Sequence, residues 1–153
     1  MDHMRAALVA CRQGIEAGQT PFGACIVRGG EVLAVAHNRV WETSDVTAHA
    51  EVMAIREACR RLGAIDLGGA TIFSTTEPCP MCFGAVHWAR IERIVCAATI
   101  ADARAFGFHE LTITGREMKR MGGSAITLDE GLLRDESLAL FRLWQARSDW
   151  RAY

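Results

Sequence analysis

The sequence predicts one α/β sheet with helices on both faces, and three observations carry that expectation. Two apolar runs flank a Gly-Gly pair, a strand–helix–strand alternation follows, and several segments repeat apolar residues at helical spacing. Met4, Leu8, Cys11 and Ile15 share one helical face ahead of Gly18, a helix stop. Phe22–Arg28 and Glu31–His37 are apolar runs around Gly29-Gly30, the two-residue turn of a β-hairpin. Irregular polar sequence at 42–45 leads into a helix over 48–62, with Val52, Ile55, Cys59 and Leu62 as its buried stripe and Gly63 as its end. Ala70–Thr76 reads as a third strand, and Pro78 opens a short helix carrying Cys79, Cys82, Ala85, Val86 and Trp88. Arg93–Ala98 then reads as a buried strand parallel to the third, because a helix separates the two. The stretch 101–123 has no legible period. Ser124–Leu128 reads as a last strand and Leu132–Trp144 as a closing amphipathic helix.

Composition bounds the class. At 153 residues the chain is expected to form a single domain over 1–153. Half of it is apolar and 23% charged, which excludes a disordered or fibrous chain. No apolar run approaches the roughly 18 residues that cross a bilayer, so no membrane partner is expected. Asp2, Arg5 and Arg12 precede no signal-peptide core, and a cytoplasmic location is the expectation. Seventeen basic against 18 acidic residues give a formal charge of −1, which argues against a nucleic-acid partner. Of six cysteines, Cys11, Cys25, Cys59 and Cys96 sit in apolar runs as small reduced hydrophobes, while Cys79 and Cys82 have a spacing that asks for chemistry.

That chemistry concentrates in His49-Ala50-Glu51 and Pro78-Cys79-Pro80-Met81-Cys82, each at the start of an expected helix. Sites in α/β sheets lie at such helix N-termini, beyond strand ends. There the positive end of the helix dipole favours thiolates at Cys79 and Cys82. Two thiolates and an imidazole suit zinc, and three protein ligands leave the fourth tetrahedral position open for water, as in catalytic sites. The expected cofactor is one Zn²⁺ per subunit, held by His49, Cys79 and Cys82. Two thiolates already neutralise the ion, so water there is acidified less than under three histidines. Glu51, directed away from His49 around the helix, is the expected catalytic proton carrier. The set fits hydrolytic attack on an amidine-like carbon with loss of ammonia. Blander readings stand beside it, since a lone Cys-x-x-Cys is more often a structural zinc half-site or a redox pair. A Cys₂His₂ site lacks its second histidine after His87, and a redox pair leaves His49, Glu51 and the prolines flanking Cys79 unexplained.

With these motifs the chain resembles the cytidine-deaminase-like zinc deaminases over nearly its whole length, and within them is most similar to the small bacterial guanine deaminases. The stretches that carry the resemblance are Pro21-Phe22-Gly23-Ala24, Thr47-Ala48-His49-Ala50-Glu51 with Ile55-Arg56, Glu77-Pro78-Cys79-Pro80-Met81-Cys82 and Trp88-Ala89-Arg90. The resemblance implies a three-layer α/β/α sandwich around a mixed five-stranded sheet. It also implies a homodimer whose C-terminal segment, about 129–153, closes over the site and is exchanged between subunits. The implied substrate is a small aminated nucleobase or related heterocycle, a guanine-like purine first. Base contacts are implied at Asn38, Phe22, Trp88 and the backbone of Ala50, although Asn38 equally suits a turn and the two aromatics equally suit core.

One departure stands out. Guanine deaminases usually carry an aspartate where this chain has His109, and Glu110 beside it offers a carboxylate in a shifted register. The aromatic end Trp150–Tyr153 fits a lid that brings Tyr153 over the site, or plain packing. Two further functions stand as alternatives. Deaminases of tRNA adenosine share the zinc motifs, usually lack the equivalents of Phe22 and Trp88, and want a basic groove. A zinc-stabilised interaction module would carry the metal and no reaction.

Overall fold

Gly29 and Gly30 take φ of 58° and 85°, the left-handed pair that a tight hairpin needs, and the sheet grows from the two strands they join. In the computed structural model, which describes residues 2–153, the chain runs α1 (Asp2–Glu16), β1 (Gly23–Arg28), β2 (Glu31–His37), α2 (Val40–Thr43), α3 (Ala50–Leu62), β3 (Ala70–Thr76) and α4 (Pro80–Trp88). It continues through β4 (Arg93–Ala98), α5 (Ile100–Ala105), α6 (Gly115–Gly122), β5 (Thr127–Glu130) and α7 (Arg134–Gln145). The sheet order is β2-β1-β3-β4-β5, with β1 antiparallel to both neighbours and the β3–β4 and β4–β5 pairs parallel. This is the expected mixed five-stranded sheet.

Register sorts side chains between the two faces. Ile26, Ile72, Ile94 and Leu128 pair in a row across β1, β3, β4 and β5 and pack toward α3 and α4. Cys25, Phe73 and Val95 form the opposite row, covered by Met4, Leu8 and Ile15 of α1 and by Phe141 and Trp144 of α7. Helices therefore lie on both sides, the sandwich the sequence predicts. Helix α1 crosses β1 so closely that a Cβ on Gly23 would stand 2.2 Å from the Ala7 carbonyl oxygen, so this position has room only for glycine.

Three sequence expectations shift. The fully buried line of α3 is Ala50, Ala54 and Ala58, with Ile55, Cys59 and Leu62 half-buried beside it. Small residues let this helix approach the sheet closely, and the larger apolar ones fill its flanks. The stretch 101–123 holds most of α5 and all of α6, short helices opened by capping boxes, Thr99 with Asp102 and Thr114 with Glu117. The last strand lies at 127–130, because Ser124 turns its hydroxyl back to the Ile126 N–H at 3.3 Å before the chain extends. No helix among the described residues is long and apolar enough to cross a membrane.

The carboxyl ends of β2, β3 and β4 and the start of β1 meet at one end of the sheet. Asn38 follows β2, Glu77-Pro78-Cys79 follow β3, and Phe22 precedes β1.

Candidate functional site

At that sheet end two helices begin side by side. His49 is the N-cap of α3 and Cys79 the N-cap of α4, and neither spends its side chain on capping. Pro80 sits in the first turn of α4, where a missing N–H costs nothing, and Cys82 follows within that turn. His49 Nδ1 lies 3.7 Å from Cys79 Sγ and 3.6 Å from Cys82 Sγ. All three candidate ligand atoms lie within 4.8 Å of one another. Tetrahedral zinc, with bonds of about 2.05 Å to nitrogen and 2.3 Å to sulfur, would space those atoms about 3.6 Å apart. The observed spacing and the soft donor set both fit that ion.

Glu51, two residues into α3, is only 6% exposed. Its Oε1 accepts from the Ser74 hydroxyl at 2.9 Å and its Oε2 from the Cys82 thiol at 3.4 Å. The carboxylate is thus pinned between β3 and the sulfur pair. Burial pushes Glu51 above the ordinary carboxylate range, against the pull of the His49 charge. A hydrogen bond from Cys82, with another from His49, holds the Cys79 thiol well below its usual value despite burial. The same bond to Cys79, with burial and the nearby Glu51, pushes Cys82 up. Burial works against a charged His49, but Cys79, Glu51 and Glu110 outweigh it and raise its pKa.

Over the cluster opens a cavity of about 290 Å³, lined among others by His49, Cys79, Phe108, His109, Glu110 and Tyr153. That is the small end of ligand pockets, sized for one heterocycle. Phe108 packs on Phe22 at 4.8 Å and on Trp144 at 5.0 Å between ring centroids. Tyr153 lines the cavity, its ring 5.7 Å from that of His49 and 5.8 Å from that of Phe108. Fully buried Asn38 accepts at Oδ1 from the Val40 N–H at 3.1 Å and donates from Nδ2 to the Tyr153 hydroxyl at 2.5 Å. The backbone bond fixes the amide so that it offers donors, not an acceptor, on the Tyr153 side. Burial raises the Tyr153 phenol above its ordinary pKa. Burial and the Cys79 charge push Glu110 up to about 7.

Of the residues singled out in the sequence, His49, Glu51, Cys79, Cys82, Asn38, His109 and Tyr153 converge here, with Ala50 buried between His49 and Glu51. Phe22 stands behind Phe108 as its support and does not line the cavity. The expected aromatic wall at Trp88 is not formed within the chain. Helix α4 leads away from its ligand-bearing first turn, and Trp88 at its end is 82% exposed. The wall is instead Phe108 and Tyr153. One polar participant escapes sequence reasoning, Ser74, which looks like any strand serine, whereas Glu110 lines the cavity beside His109 as the carboxylate the sequence offers in a shifted register.

The family model for the cytidine and deoxycytidylate deaminase zinc-binding region matches residues 1–98. The guanine deaminase of Bacillus subtilis is 39% identical over 150 residues, which cover 97% of this chain and 95% of that protein. The tRNA-specific adenosine deaminase of Aquifex aeolicus is 45% identical over 95 residues, which cover 62% of this chain and 63% of that one. Among solved structures, that of a guanine deaminase from Nitrosomonas europaea superposes with a TM-score of 0.87 at 34% identity, covering 95% of this chain and 84% of that one.

Proposed function

The chain belongs to the cytidine and deoxycytidylate deaminase zinc-binding family, and on that premise we propose that it hydrolyses the amino group of a guanine-like free purine, releasing ammonia. One observation carries the reading: a cavity of about 290 Å³ lined by His49 and Cys79, two of the three clustered ligand candidates, and by the aromatic rings of Phe108 and Tyr153.

His49, Cys79 and Cys82 would hold the zinc, which when bound would supply a Lewis acid for water. Glu51 would take the water proton and give it to the ring nitrogen beside the amino-bearing carbon, then carry the proton of the newly bonded hydroxyl to the amino group, so that C=O forms as the C–N bond breaks and ammonia leaves. Its raised pKa suits a group that must both accept and return a proton, and Ser74 keeps it aimed. Asn38 offers amide N–H groups to an acceptor on the base, exchanging the Tyr153 hydroxyl for that partner. The backbone of Ala50 completes the polar edge. Phe108 and Tyr153, set edge to face at 5.8 Å, give the ring an apolar wall, and His109 and Glu110 face its remaining edge. Glu110 supplies the carboxylate that His109 lacks, and its pKa of about 7 lets it act as donor or acceptor.

The proposal includes a homodimer in the cytoplasm. Exposed Trp88 supports it, since a large apolar side chain at 82% exposure gains most from cover by a second copy. The C-terminal segment, about 129–153, here reaches its own chain's cavity; exchange in the dimer would repeat the same contact between identical subunits. Sedimentation at about twice 16.8 kDa checks the dimer, and a single-copy mass contradicts it.

The tRNA reading has its support in a relative matched over 95 residues, 62% of this chain. A small lidded cavity and a formal charge of −1 favour the free base. Ammonia release measured over guanine, guanosine, adenine, cytosine, isocytosine, triazines and a tRNA decides between them. Guanine is expected to turn over fastest. Turnover of the tRNA alone would transfer the reading to the polynucleotide, and zinc without ammonia from any substrate would leave a non-catalytic module.

A further inference from the structure

One buried carboxylate near the cluster takes no part in that chemistry. Glu77, just past β3, is 6% exposed. Its Oε2 accepts from the Ile100 N–H at 3.1 Å and its Oε1 from the Gly115 N–H at 2.8 Å. Ile100 and Gly115 are the first residues of α5 and α6. First-turn N–H groups have no partner inside their own helix and must find one elsewhere. In both helices the capping box serves the N-cap and third positions and leaves the first N–H over. Both leftover donors go to the same carboxylate, in charge-assisted bonds that orient it rigidly. The approach is tight, since a Cβ on Gly115 would stand 3.2 Å from Leu128 and 3.5 Å from the Glu77 carboxylate.

The segment between these helices, 106–114, carries Phe108, His109, Glu110 and Leu111 of the cavity wall. Glu77 in turn is joined to Cys79 through Pro78, and its own N–H is fixed to the Ala98 carbonyl at 2.8 Å. The residue before a proline is held extended, so this link is stiff. A single side chain thus refers both flanks of the wall to the start of the cysteine-bearing helix. We propose that Glu77 is a positioning residue for substrate, setting the distance between the 108–111 wall and the metal ligands. The proposal rests on reading the cavity as the base pocket. It concerns neither zinc binding nor proton transfer.

The test is Glu77→Gln, which preserves shape but turns one acceptor into an N–H₂ facing a backbone N–H. Zinc content, kcat, KM for guanine and amide hydrogen exchange are measured on the zinc-loaded protein. The expected result is unchanged zinc, a KM raised about tenfold with kcat reduced less than about threefold. Exchange at 106–114 quickens about tenfold while β3 keeps its protection. Unchanged KM and unchanged local exchange, with only a lower melting temperature, would reduce Glu77 to a fold support and overturn the proposal. Loss of zinc would overturn it too, by placing the effect on the cysteines. If the Gln variant does not fold, Glu77→Asp keeps the charge and the reach to one helix, and a smaller KM rise with the same local exchange is expected. Exchange is read without turnover, so a protein inactive on guanine would refute the proposed substrate while still deciding the role of Glu77.

Discussion

The metal cluster and the wall that faces it are built in opposite ways. His49, Cys79 and Cys82 come from the first turns of two helices seated on the same sheet face, and each takes its direction from local backbone geometry. The wall draws Phe108 from a loop and Tyr153 from the end of the chain, supported by Phe22 and Trp144 from two other segments. Its anchors are long-range contacts: Asn38 to Tyr153, the His109 N–H to the Tyr153 carbonyl at 3.3 Å, and Glu77 to two helices. The difference teaches where chemistry and selectivity can vary independently. The cluster sits on two helix starts, while the wall is assembled from loop and terminal segments that long-range contacts tie back to it.

Mutations on each side break or sharpen that division. The largest effect belongs to the cluster: Cys82→Ala is expected to lower zinc content and cut activity by a factor of about 10³ or more, checked by metal analysis beside kinetics. Retention of full metal would remove Cys82 from the ligand set. Next comes Asn38→Asp, which turns donors into acceptors at the wall. Zinc should stay and kcat/KM for guanine fall about 10²-fold, read from steady-state rates. Tyr153→Phe removes one hydroxyl from the lid and should raise KM about threefold at unchanged zinc, with the aromatic cover intact. The smallest effect lies behind the wall, where Arg134 reaches Asp102 at 2.6 and 2.9 Å and ties α7 to α5. Arg134→Ala should lower the melting temperature by about 2 °C and leave zinc and kcat alone.

That last pair also has a pH signature. Burial acts to raise the Asp102 carboxyl, but hydrogen bonds from Arg134 and Thr99 outweigh it and hold the group below its ordinary value. A depressed folded pKa gives stability that is present above the unfolded value and lost as pH falls through the folded one. The melting difference between wild type and Arg134→Ala should therefore persist at neutral pH and shrink below about pH 4. A difference that grows on acidification would contradict the pairing.

The same division explains what the sequence reveals. The strand at 70–76 and the Gly29-Gly30 turn are legible because apolar runs bounded by glycine or proline leave few alternatives, and the strand at 93–98 because its apolar run follows a helix. The cluster is legible because its residues sit at fixed steps from helix starts. The wall is legible only in part: the aromatic end marks Tyr153, but Phe22, Phe108 and Trp144 share no spacing and meet only once the sheet has folded. Helices α5 and α6 span six and eight residues, too short for a period to emerge, and only their Thr-x-x-Asp and Thr-x-x-Glu boxes mark them. In α3, the eye follows Ile55, Cys59 and Leu62, whereas close packing selects the alanines. Trp88 reads as buried by residue type, and nothing in helical spacing shows that its end of α4 faces outward.

The central claim is that the buried carboxylate beside the sulfur pair moves the proton for deamination at this centre. Zinc content and guanine turnover measured together on Glu51→Gln test it most directly. Full zinc with ammonia release lowered about 10³-fold is the predicted result; turnover within about threefold of wild type at full zinc would contradict it.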